Sequence, residues 1–241
     1  MSTQIHLAPA PVQIETVESR YVWESPIRIG HWMMVVSITV LLATGFFIAW
    51  PWASSTGEAT FNFLMGRFRQ IHFIAGYVLL ASFLIRIYWF FAGNNYARSG
   101  FPFFWRLSWW HQLIEQSWEY LTIHITQRFV GHNQLGALSY LIFIAGMGGA
   151  EIATGFAMYG ESNPGGFWST LFGWVIPLLG GSYQVHQWHH AFAWGILIFI
   201  AIHIYIVILD SIYLDNGMVG SIFTGRKFVR KSDVDNNTWL S

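Results

Sequence analysis

The chain has 241 residues, of which 54% are hydrophobic, 19% aromatic and only 10% charged. Twelve Lys and Arg against twelve Asp and Glu leave a formal net charge of zero, which excludes the basic footprint of a nucleic-acid or polyanion binder. There is no cysteine, so disulfides, iron–sulfur ligation by this chain and covalently attached c-type haem are excluded too, and the composition is that of an integral membrane protein.

Residues 1–20 lack the basic start and apolar core of a secretory signal and are expected to form a polar tail. A first uncharged span is predicted over about 31–50, with His31 at its beginning and Pro51 at its end. A polar connection with Glu58, Arg67 and Arg69 leads to a second span over about 71–92, with His72 at its beginning and Arg86 late enough to snorkel to the interface. The stretch over about 102–128 is rich in Trp and carries a charge every turn or two, which suits a helix lying in the interface. In a third span over about 135–158, Gly146, Gly148, Gly149 and Gly155 thin one side for a neighbouring helix or a flat ligand. Glu151 is the one carboxylate inside a span, expected as a hydrogen-bonded or hydrated group or as a proton relay. The apolar piece 167–179 is too short to cross; a fourth span follows over about 188–209, then a basic tail over 216–241.

Four spans put both termini on one side. Arg20, Arg28, Arg98, Arg106, Arg128 and the basic tail lie there and only Arg67 and Arg69 lie opposite, so the positive-inside rule makes the termini cytoplasmic.

Histidine is rare and costly inside a span, so each one there asks for a partner. At about 100° per residue, His189 and His203 fall within roughly 40° of each other on the fourth span and about 21 Å apart along its axis. His190 and His186 point elsewhere. Span direction then sets depth: His31 meets His203 at the cytoplasmic level, and His72 meets His189 at the outer level. Two imidazoles on opposite sides suit the axial positions of haem iron, whereas zinc would want three or four ligands at one point. With both axial positions filled, the expected task is electron transfer. His6, His111, His124 and His132 lie in tails or interfacial segments, where solvation accounts for them.

From about Trp23 to Asp215 the sequence resembles the cytochrome b subunit of membrane-bound uptake nickel–iron hydrogenases. The resemblance is carried by Glu24-Ser25-Pro26-Ile27-Arg28 before His31-Trp32; Gly57-Glu58-Ala59 through Met65-Gly66 to His72-Phe73; Arg86-Ile87-Tyr88-Trp89 with Gly93-Asn94; Gly131-His132-Asn133; Thr154-Gly155-Phe156-Ala157-Met158-Tyr159-Gly160; and His186-Gln187-Trp188-His189. It implies an all-α, four-span bundle in the bacterial inner membrane, with two haem b groups on His31, His203, His72 and His189. It also implies, as partners, the periplasmic hydrogenase's iron–sulfur small subunit and nickel–iron large subunit, and quinone as electron acceptor. Similarity to formate dehydrogenase cytochromes points to His132 and Asn133 for quinone, and His186, one turn before His189, is expected on the path of electrons from the partner. Departures from the family pattern fall at Gly30, Gln134 and Leu209-Asp210-Ser211. The rivals are the cytochrome b subunit of a formate dehydrogenase or thiosulfate reductase and, from another class, a haem-free membrane anchor or transporter.

Overall fold

The computed structural model describes residues 17–51, 63–126 and 129–230. His6, the Gly57-Glu58-Ala59 run, Arg128 and Lys231 lie outside the described residues. Four helices are long and apolar enough to cross a membrane: α1 (Ser25–Ala49), α2 (Leu64–Ala92), a composite third helix over Gln134–Glu161, and α9 (Ser182–Tyr213). Between them lie α3 (Asn95–Arg98) and α4 (Leu107–Thr122), and then α7 (Phe167–Phe172) and α8 (Val175–Leu178); α10 (Met218–Thr224) follows the last span. The composite helix consists of α5 (Gln134–Ser139), a π-helical stretch (Tyr140–Gly148) and α6 (Gly149–Glu161).

Helices α1 and α2 start before their uncharged stretches do, and α9 starts at Ser182, ahead of its expected span. Arg28 lies within α1 and Arg67 and Arg69 within α2, because a charge near a helix end can reach water while the backbone stays helical. His31, His72 and His189 are therefore well inside their helices, not at their starts. Pro26 opens α1, where its missing N–H costs nothing, and the extended Trp50 before Pro51 closes it. The start of α1 is fastened to the end of α2 by Glu24, whose Oε2 accepts from Trp89 Nε1 and from the Asn94 backbone N–H, both at 2.9 Å.

Helix α4 buries Trp109, Leu113 and Gln116 and exposes Leu107, Ile114, Trp118 and Leu121, an apolar stripe that suits a lipid interface. Near the opposite end of the bundle Trp168 of α7 stacks on Phe156 (4.1 Å between ring centres), and Val175 of α8 packs with Ala157 and Val185. That closeness depends on Gly160, where a Cβ would lie 2.7 Å from the Ser169 nitrogen.

Two expectations are corrected. Residues 17–20 and 226–230, read as parts of tails, form with Tyr21 an antiparallel ribbon, β1 (Val17–Tyr21) with β2 (Arg226–Arg230), that pairs Val17 with Arg230 and Tyr21 with Arg226. Alternation of side chains along β2 turns Lys227 and Val229 inward, so the protein is all-α only within its membrane part. Arg86 does not snorkel: it is buried, donates from Nη2 to the Ala97 carbonyl (2.9 Å) and lies over the Tyr140 ring (4.8 Å).

Candidate functional site

The structure brings the four span histidines together in two pairs. His72 of α2 faces His189 of α9, and His31 of α1 faces His203 of α9, each with ring centres 6.5 Å apart. One metal ion bound by both imidazoles needs a bond of about 2 Å on each side, and about 1.1 Å more from each nitrogen to its ring centre, or about 6.2 Å in all. Both pairs fit that spacing. Among the described residues no three His, Cys, Asp or Glu side chains converge on one point, which disfavours a zinc-type site.

The outer pair is held by a repeated sequence element. Thr44-Gly45-Phe46 in α1 and Thr154-Gly155-Phe156 in α6 present the same two functions to opposite histidines. Thr44 Oγ1 donates to the Val40 carbonyl (2.7 Å) and lies 2.8 Å from His72 Nδ1; Thr154 Oγ1 donates to the Ala150 carbonyl (2.7 Å) and lies 2.8 Å from His189 Nδ1. Since each hydroxyl proton is already given away, each Nδ1 carries the hydrogen and each Nε2 keeps its lone pair for a metal. The glycines make room for the rings: a Cβ on Gly45 would lie 3.3 Å from His72 Cε1, and one on Gly155 would lie 3.3 Å from His189 Cε1. A cavity of about 450 Å³ opens beside them, lined by Leu41, Gly45, Gly155, His72, His189 and Trp194 among others, within the size range of small-molecule and cofactor sites.

Glu151 is hydrogen-bonded, as expected of a carboxylate inside a span. Its Oε2 is 2.7 Å from His189 Nδ1, and its other oxygen is buried without a partner. His190 also lines the cavity but is not paired with His72, and its ring lies 5.8 Å from that of Trp50. His186 is exposed, donates from Nδ1 to the Ser182 carbonyl (2.8 Å), and lines the same cavity.

The inner pair is held differently. His31 Nδ1 is buried without a hydrogen-bond partner, and His203 stacks on Phe199 (5.6 Å). Beyond it lies a polar cluster that pattern reading did not assemble. Asn133 caps α5, accepting from Gly136 N (2.7 Å) and donating to Tyr120 Oη (3.2 Å), and Tyr120 donates to Asp210 (2.8 Å). Gln116 donates to Gln134 (2.5 Å), which donates to Gln112. Two of the three departures from the family pattern, Gln134 and Asp210, thus sit in this one cluster. Asn133 and Gln134 also line a cleft of about 170 Å³ with Arg106 and Gln112. Burial, with the Asp210 charge, pushes the Tyr120 phenol well above its usual range.

His132 Nδ1 donates to Ser99 Oγ (3.0 Å), whose own hydrogen goes to the Tyr96 carbonyl, and the ring meets Trp23 edge-on (4.9 Å). Burial, with the charges of Arg86 and Lys227, pushes its pKa down to about 3. Lys227 is 1% exposed, has no hydrogen-bond partner at Nζ and lies 5.6 Å from the centre of the Trp23 ring. Burial pushes its pKa down to about 8, against the pull of Asp210.

A bundle of membrane-length helices with facing imidazoles at two levels has the geometry of a class of membrane proteins in which paired histidines could hold a metal. The chain belongs to the prokaryotic cytochrome b561 family, whose model matches residues 22–225. It is 41% identical over 216 residues, covering 88% of each chain, to the probable Ni/Fe-hydrogenase B-type cytochrome subunit of Cupriavidus necator. It is 40% identical to the protein of that name from Azotobacter chroococcum, over 89% of this chain and 91% of the relative. It is 35% identical to the probable Ni/Fe-hydrogenase 1 B-type cytochrome subunit of Escherichia coli K12, over 92% and 96%. The resemblance read from the sequence is borne out, and membership of a cytochrome b family implies haem b and a multi-pass membrane protein. Neither the formate dehydrogenase and thiosulfate reductase reading nor the haem-free one is favoured.

Proposed function

We propose that this chain is a di-haem cytochrome b that anchors a nickel–iron hydrogenase to the periplasmic face of the bacterial inner membrane. In this reading it passes electrons from the hydrogenase's iron–sulfur small subunit to membrane quinone, while the large subunit activates hydrogen. The observation that carries it is the pair of facing imidazoles at each of two levels of the bundle, in a chain whose relatives are named as hydrogenase cytochrome subunits. His72 and His189 would hold one haem b at the outer level, and His31 and His203 the other at the inner level. Haem iron bound by imidazole on both faces exchanges single electrons and has no vacant position for a substrate.

The rest is the work of the chain's own residues. Thr44, Thr154 and Glu151 fix the outer imidazoles with Nε2 free to bind, and Gly45 and Gly155 leave space beside them. His186, exposed and lining the same cavity, stands where electrons from the small subunit would be taken up. At the inner level, quinone would bind beside His132 and Asn133. Asn133 Nδ2 carries a second hydrogen besides the one given to Tyr120, a donor for a quinone carbonyl, and the Asp210–Tyr120–Asn133 chain offers a hydrogen-bonded route for protons. Arg20, Arg28, Arg98, Arg106, Arg226 and Arg230, at the end where β1 meets β2, argue for cytoplasmic termini.

Hydrogen oxidation outside and quinone reduction inside would move charge across the bilayer. Hydrogen and quinone turnover by the whole complex in sealed vesicles of known orientation should build a potential, negative on the cytoplasmic face, that an uncoupler collapses. Asn133→Ala should slow quinone reduction without loss of haem. Turnover without a potential, or a quinone-site inhibitor bound beside His72 and His189, would overturn the inward route.

A further inference from the structure

The two Thr-Gly-Phe elements differ at one position. Three residues before Thr154 stands Glu151; three residues before Thr44 stands Leu41. His72 therefore meets only neutral partners, the Thr44 hydroxyl and the Leu41 backbone carbonyl, while His189 Nδ1 meets a hydroxyl at 2.8 Å and a carboxylate oxygen at 2.7 Å. Resting on the reading of His189 as an axial ligand, we propose that Glu151 is the residue that sets the outer centre's reduction potential, holding it below that of the inner centre so that electrons run downhill from His189 toward His203.

The argument is electrostatic. A hydrogen bond from the non-ligating nitrogen of a metal-bound imidazole to a carboxylate makes that imidazole a stronger base, and a stronger base favours the oxidised metal. Glu151 adds its own charge to this. Its side chain is 10% exposed and its Oε1 has no partner, an arrangement that is costly unless positive charge gathers nearby. One-electron oxidation at the site held by His189 adds one positive charge, which Glu151 stabilises through the His189 ring. Among the described residues no carboxylate is paired with His31 or His203, and His31 Nδ1 is buried without a partner, which leaves its imidazole the weaker base. A neutral hydroxyl and a backbone carbonyl, those of Thr44 and Leu41, orient His72, so holding a ring here does not require a carboxylate. The carboxylate is surplus to orientation, and tuning accounts for it.

The test is a spectroelectrochemical titration of the purified, haem-loaded chain, following the two b-type components separately. Replacing Glu151 by Leu, the residue its counterpart position holds, should weaken the outer centre's preference for the oxidised form tenfold or more, an upward shift of about 59 mV or more, and leave the inner component in place. Glu151→Gln, which keeps an acceptor for His189 Nδ1 without the charge, should move the same component upward by less. Leu41→Glu in the Glu151→Leu background should bring it back down, because His72 then gains the carboxylate that His189 lost. Two unshifted b-type components in the Leu and Gln variants would overturn the inference and leave the proposed function standing. So would loss of haem from both variants, which would mark Glu151 as structural. A wild-type chain with no second b-type component, or one that keeps both after His189→Ala, would instead overturn the proposed function on which the inference rests.

Discussion

The outer and inner histidine pairs share one spacing and little else. At the outer level each Nδ1 is bonded before any cofactor arrives, each ring has a glycine beside it, and a cavity of about 450 Å³ stands open. At the inner level His31 Nδ1 is unpartnered, His203 rests on Phe199, and the ordered polar groups lie beyond the pair in the Asp210–Tyr120–Asn133 chain. The contrast follows from position. The outer pair is framed by α1 and α6, whose Thr-Gly-Phe elements can face inward from both sides, whereas the inner end is closed by α4, α5 and the terminal ribbon. One end thus has its imidazoles hydrogen-bonded and space beside them, and the other has its hydrogen-bonded polar groups beyond the pair.

The largest effect that would break this comparison is steric. Gly155→Val and Gly45→Val would each drive side-chain carbon into an imidazole already only 3.3 Å from the position of a bare Cβ. Haem content should fall from two per chain to one in either variant, with the inner b-type component retained. Loss of both components would mean that the two levels are not independent.

A smaller effect sharpens it. Thr44→Val removes the one hydroxyl facing His72, which is then left with only its bond to the Leu41 backbone carbonyl, at a cost of about 0.5–1.5 kcal/mol. Thr154→Val removes a hydroxyl that Glu151 can replace. Outer-level haem should loosen by roughly tenfold to a hundredfold in the first variant and by less in the second, measured as haem transfer to an apo-acceptor. Equal losses would argue against a supporting role for Glu151.

The distinction between the ends was only partly legible in the sequence. Helical phase placed His189 and His203 on one face and set His190 aside because a long uninterrupted helix keeps its period whatever surrounds it. Helix ends were misplaced because hydropathy stops at Arg28, Arg67 and Arg69 while the backbone does not. The fate of Arg86 and Glu151 depends on partners from other helices, Tyr140 and His189, that no local pattern reveals. The same holds for Lys227 beneath Trp23, since the ribbon pairs segments some two hundred residues apart. The Thr-Gly-Phe repeat stands in the sequence, but its copies lie 28 and 35 residues from their histidines, and only the fold shows that they share a task.

A separate test reaches the inner end through pH. The pKa of Lys227 is lowered to about 8 from an ordinary value near 10.5, so between those values the unfolded chain binds a proton that the folded chain does not. Stability should therefore rise from pH 8 to about 10.5 as the burial of a charge ceases to be penalised. Lys227→Met should lack that rise, as thermal unfolding in detergent at a series of pH values would record. An identical rise in the variant would remove Lys227 as its source.

The central claim, two centres held by four histidines of one bundle, is tested most directly by counting haem per polypeptide in the purified chain and its single variants. The account predicts two in the wild type; one in each of His31→Ala, His203→Ala, His72→Ala and His189→Ala; and two in His190→Ala. A wild-type ratio of one, or a chain that loses haem with His190→Ala and keeps it with His189→Ala, would contradict it.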